Sequence, residues 1–261
     1  NSFAAIFLLP LSTETLWRIE ENSREQNYSK IYLLKLASFQ NENTTIRGSN
    51  YFQQDFFFFE NSQDFSVRLR FAQRKNLNQF SGGVERGYNR QRSLRITFRM
   101  IQEVSNQTEI INETDNAYAP ALTNRTRAIT GNTFSTDFSY RPERHIEVGF
   151  RIKAGRSENS FPENPTIIDQ NSQTLRFNLS FAGTGRLRIE MERNELVANS
   201  TQNFIPFELT GGNIIGKNYF WRLNFDYRIT SNLQSTVSYD GRLQGSRRVI
   251  HTARAEARAY F

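Results

Sequence analysis

Charged residues recur at every second position along much of this 261-residue chain. Arg68 and Arg70, Arg186, Arg188, Glu190 and Glu192, and Arg254, Glu256 and Arg258 are the clearest runs. A spacing of two places such residues on one face of an extended strand. Arg95, Arg99, Asp137, Glu147, Arg151, Lys153, Arg176, Arg222, Asp226, Arg228 and Asp240 extend the set to thirteen bases against seven acids. Two kinds of chemistry are open to such a row. It can line a cationic pore that favours anions, or it can pair Arg with Asp and Glu across neighbouring strands as a structural ladder. Seven acids leave several bases over. The preferred reading is a ladder with a mild anion preference as a by-product.

Other chemistry finds little support. The two histidines, His145 and His251, show no HxH or HExxH spacing and are expected at opposite ends of their strands, so neither a metal site nor a Ser-His arrangement is expected. The chain has no cysteine, which removes thiolate ligands, disulfides and Cys nucleophiles. Gly82-Gly83, Gly183-Thr-Gly185 and Gly211-Gly212 precede no helical pattern, so they cannot cradle a phosphate at a helix start. The net charge of +7 is spread singly over the chain rather than clustered among stacking aromatics, which argues against nucleic acid. Glu109, Glu113, Asp115, Glu158, Glu163 and Asp169 could hold calcium or bridged lipopolysaccharide, but they lack a calcium-loop spacing and read as solvated carboxylates. The expectation is a non-enzymatic protein without metal or cofactor.

The elements that position these charges are strands. Nine segments alternate, with apolar faces Phe65/Val67/Leu69/Phe71, Leu94/Ile96/Phe98/Met100, Phe134/Thr136/Phe138/Tyr140, Ile146/Val148/Phe150/Ile152/Ala154, Leu175/Phe177/Leu179/Phe181, Leu187/Ile189/Met191, Trp221/Leu223/Phe225/Tyr227/Ile229, Leu233/Ser235/Val237/Tyr239 and Ala253/Ala255/Ala257/Ala259/Phe261. Segments 15–20, 31–39 and 51–59 could supply three more, although Phe56–Phe59 does not alternate. Tight turns near 140–145, 182–186 and 229–233 alternate with long polar segments at 105–125, 155–173, 193–218 and 241–248. That rhythm is the mark of an up-and-down outer-membrane barrel. Segment 75–92 breaks it. No apolar run nears the ~18 residues of a spanning helix, whereas several alternating runs approach the ~9–11 residues of a tilted spanning strand. The expected fold is all-β, an antiparallel up-and-down transmembrane β-barrel of about twelve strands or the C-terminal part of a larger one. It would form a single domain over 1–261, with 1–64 the hardest stretch to divide. The alternative is a soluble β-sandwich that acts as a binding module.

The end of the chain, Asn232–Arg242 followed by Ile250–Phe261, resembles the last hairpin of large outer-membrane proteins of Bacteroidota and related bacteria, some of them akin to gliding and type IX secretion barrels. The resemblance covers about the last forty residues. It implies a bacterial outer-membrane location with a periplasmic C-terminus, contact with outer-membrane lipid and lipopolysaccharide, and a terminal assembly signal, Tyr260 and Phe261, read by the barrel-assembly machinery. Ala259 stands where that signal usually carries a bulky aromatic. Further subunits of a membrane complex are implied as partners, through the small alanine stripe. The function expected is a transport or secretion conduit, or a surface-anchoring scaffold.

Overall fold

A computed structural model of the chain describes residues 11–24, 44–120, 126–161, 165–181, 183–199, 205 and 207–259. Twelve strands follow one another: β1 (Leu11–Ser23), β2 (Thr45–Phe58), β3 (Phe65–Phe80), β4 (Gly83–Ile101), β5 (Val104–Tyr118), β6 (Arg127–Glu143), β7 (Ile146–Asn159), β8 (Thr166–Phe181), β9 (Gly185–Asn199), β10 (Gly216–Thr230), β11 (Leu233–Gln244) and β12 (Ile250–Ala259). A single helical turn, α1 (Phe207–Thr210), sits between β9 and β10. All twelve strands belong to one sheet in chain order, each antiparallel to the next. This is the all-β, up-and-down architecture of a β-barrel, and among the described residues no second sheet packs on it as in a sandwich. Among the described residues, no ladder joins β1 to β12.

The alternation dictates this sheet, but the strands are longer than the apolar runs suggest. β12 has 10 residues and β4 has 19. Much of what reads as long polar loop is strand. β5 lies wholly within 105–125 apart from its first residue, and 75–92 is a hairpin turning at residues 81–82. Polar residues can stand on both faces of a strand that its neighbours hold by ladders, so hydrophobic pattern alone cannot find such strands. The count of twelve is reached with β5 in place of segment 31–39, which lies outside the described residues, as do Ala182, Tyr260 and Phe261.

The connections separate into two rims. Residues 59–64, 102–103, 144–145, 182–184 and 231–232 join strands at one end; 24–44, 119–126, 160–165, 200–215 and 245–249 join them at the other, with 81–82 the one tight turn there. β12 ends at the short-turn rim. The Phe56–Phe59 run resolves at that same rim. Phe56 and Phe58 share the apolar face with Leu69 and Val67, while Phe57 turns to the charged face beneath the Arg68 guanidinium, 4.8 Å from its ring centroid. Phe59, just past the strand, has φ 58°, a left-handed value that a bulky residue rarely adopts.

Candidate functional site

Directly opposed residues in an antiparallel pair point to the same face. Traced through the register, Arg68, Arg70, Arg95, Arg99, Glu147, Arg151, Lys153, Arg176, Arg186, Arg188, Glu190, Arg222, Asp226, Arg228, Arg254, Glu256 and Arg258 all lie on one face. The expected apolar positions among the described residues lie on the other.

The charges pair across strands. Asp55 on β2 is the centre of the tightest group: its carboxylate accepts from Arg68 Nη2 at 2.6 Å, Arg70 Nε at 2.9 Å and Gln53 Nε2 at 2.8 Å. Asp137 on β6 accepts from Arg151 Nε at 2.8 Å and also pairs with Arg176, two strands away. Gly149 makes that second reach possible. It lies opposite Arg176, and a Cβ there would sit 2.8 Å from the guanidinium. Arg95 meets Glu109 at 3.0 Å and Arg222 meets Asp240 at 2.8 Å. Glu147 accepts from Ser139 Oγ at 3.0 Å and pairs with Arg141 at 3.2 Å. On the edge strands the charges turn along their own strand instead: Arg18 pairs with Glu20, and Glu256 with Arg254 and Arg258. Two of the ladder's acids, Asp55 and Glu109, fall outside the sequence-derived set because one follows no alternating run and the other sits in a segment that reads as loop. Arg99, Lys153, Arg186, Arg188 and Arg228 make no ion pair among the described residues.

Three acids of the charged face are enclosed. The side chains of Asp55, Asp137 and Glu109 are 0%, 15% and 17% exposed, whereas Leu69, Phe150, Leu175 and Met191 on the apolar face are 40–53% exposed. Only seven hydrophobic residues are buried among those described, against twenty-nine large ones that are exposed. Four of the seven, Ile129, Ile168, Leu196 and Leu209, form one cluster. By register the first three lie on the charged face. The segment carrying α1 therefore folds onto that face near the rim of long connections, where Glu208 pairs with Arg127 at 3.2 Å.

The apolar face is ordered in rows. Leu69, Leu94, Ile110, Phe134 and Ala154 oppose one another from β3 to β7. The next row toward the long connections is Phe71, Arg92, Asn112, Asn132, Arg156 and Asp169. The apolar belt ends between these two rows. On β7 the belt runs from Ile146 to Ala154. At ~3.3 Å per residue and a tilt of about 40°, that covers about 20 Å of height, near the ~25 Å of an outer-membrane band.

His145 lies in the turn after β6, 3.3 Å from Glu143, and His251 lies on β12 with Nδ1 2.7 Å from the Tyr239 hydroxyl. The two stand at opposite rims. Among the described residues no group of three His, Asp or Glu could hold a metal ion.

No protein-family model matches the sequence, and no curated protein does. Solved structures with a similar outline include in-vitro folded OmpT in its trimer form, an outer membrane protein of Vibrio cholerae, at 9% identity over 96% of this chain and 99% of that one, TM-score 0.48. LpxR from Salmonella typhimurium overlaps 82% of this chain and 88% of its own at 9% identity and TM-score 0.34. The β domain of the Bordetella autotransporter BrkA overlaps 96% of this chain and 98% of its own at 9% identity and TM-score 0.33. At that level of overlap each likeness is one of outline alone.

Proposed function

We propose that this chain spans a bacterial outer membrane, with its apolar face in lipid and its charged face lining a lumen, and that it acts without catalysis as a narrow conduit. One observation carries the reading: apolar side chains of the belt such as Leu69, Phe150, Leu175 and Met191 are exposed while Asp55, Asp137 and Glu109 on the opposite face are enclosed. Water penalises that arrangement, at roughly 25 cal/mol for each Å² of apolar surface left exposed, and lipid rewards it. The long connections would lie outside the cell and the C-terminus of β12 in the periplasm, as barrels with short periplasmic turns do. The unpaired bases Arg99, Lys153, Arg186, Arg188 and Arg228 give the lumen its preference for anions.

A second reading, an anchoring scaffold with a closed lumen, is favoured by the α1 segment. Leu209 on Ile129, Ile168 and Leu196, together with the Glu208–Arg127 pair, narrows the lumen at one rim. Conductance in planar bilayers separates the two. Anion-preferring channels support the conduit; stable but silent insertion supports the scaffold. A chain that remains monodisperse in buffer without detergent refutes both.

A further inference from the structure

The outer wall is not evenly charged just above the apolar belt. Arg92 occupies the first polar row, Arg90 the next, and Lys75 the one beyond, opposite Tyr88. All three share the apolar face of β3 and β4. Their neighbours across the ladders on that face are Asn112, Thr114 and Gln73, all neutral hydrogen-bonding groups. No carboxylate lies on this face of β2 to β5 beside them. Farther round the same wall the charges cancel: Arg156 lies 3.9 Å from Asp169, and Arg193 lies 2.8 Å from Glu195.

The three bases are also placed to receive something. Among the described residues Arg90 reaches only a neutral partner, Thr114 Oγ1 at 3.3 Å. Arg92 lies over the Phe71 ring at 6.0 Å and Lys75 over Tyr88 at 6.0 Å, so both stems lean on aromatics at the belt edge. A hollow of about 680 Å³ opens beside Lys75 and Tyr88, walled by Leu77, Tyr118 and Phe161. Like charges gathered at an apolar boundary repel one another unless an anion sits among them. At this height in a bilayer, the anion available to all three is a lipid phosphate.

We propose that the β3–β4 wall binds the phosphorylated headgroup of an anionic lipid, with Lys75, Arg90 and Arg92 around the phosphate and the acyl chains lying on Phe71, Leu69 and Leu94. The site rests on the membrane reading and adds a lipid class to it. Guanidinium groups suit the task because their fork matches phosphate oxygens two at a time.

The test is lipid retention in vesicles of phosphatidylcholine containing traces of spin-labelled phosphatidylglycerol or spin-labelled phosphatidylcholine. Wild-type protein should immobilise the phosphatidylglycerol probe at least about fivefold more strongly, the scale of one base near a charged bilayer surface. The triple variant K75Q/R90Q/R92Q should lose that preference, and R156Q/R193Q should keep it. Circular dichroism verifies that each variant retains its sheet; R92Q alone, with a partial loss, serves if the triple variant does not fold. Equal retention of both probes by wild type, or an unchanged preference in the folded variants, overturns the site while leaving the membrane reading in place. Displacement of the lipid probe by millimolar inorganic phosphate would assign the bases to a free anion and overturn the lipid assignment. Failure of the wild type to enter vesicles overturns both readings.

Discussion

Replacing Asp55 by Asn should destabilise the barrel more than any other single charge removal on the ladder. Its side chain is fully enclosed and serves two guanidinium groups and an amide. Asparagine keeps the shape but withdraws the charge, leaving Arg68 and Arg70 facing each other without a counterion. Breaking a buried pair by removing one partner costs about 3–5 kcal/mol. Arg68 and Arg70 are 27% and 31% exposed, so water recovers part of this and the low end, about 3 kcal/mol, is expected. Urea unfolding from lipid vesicles, followed by the fluorescence of Trp17 and Trp221, reads the change directly. With a slope near ~3 kcal/mol per molar, the midpoint should fall by about 1 M. Asp240→Asn is the internal comparison. Asp240 and Arg222 are 49% and 61% exposed, and such a pair contributes less than about 1 kcal/mol. The combined variant D55N/R68Q/R70Q should regain part of the lost stability, since no charge is then stranded. Equal midpoints for Asp55→Asn and Asp240→Asn would refute the claim that enclosure sets the strength of this ladder.

On the outer wall, Trp221 lies across Gly241, its direct partner on β11, so that a Cβ at 241 would meet the indole. Gly241→Ala should cost about 1–3 kcal/mol by overpacking, and the same change in a Trp221→Ala background should cost much less; additive costs in a double-mutant cycle would contradict the contact. Leu209→Glu places a charge in the cluster of Ile129, Ile168 and Leu196 and should release α1 from the charged face. Single-channel conductance should then rise; an unchanged conductance would show that this segment does not narrow the path.

Sequence alone determined the two faces. Wherever one face meets an apolar medium, a period of two with charges on alternate positions admits one phase, and a slip by a single residue would invert every side chain. Leu223 and Phe225 against Arg222 and Asp226 on β10 leave no other choice. The short turns after β6, β8 and β10 were equally readable, because Gly, Asn, Arg and Pro interrupt the alternation there. Tertiary structure decided what the pattern leaves open. Strands with polar residues on both faces, such as β5 and the first part of β4, carry no apolar signal and exist because their neighbours offer hydrogen bonds. Pairing of charges was also beyond the sequence. Register alone brings Asp55 to Arg70 and sets Arg176 over Gly149 within reach of Asp137, and only the folded sheet shows which bases are left without an acid. How β1 stands to β12 is likewise a property of the whole sheet, since curvature and closure arise from how twelve strands stagger together and not from any one of them.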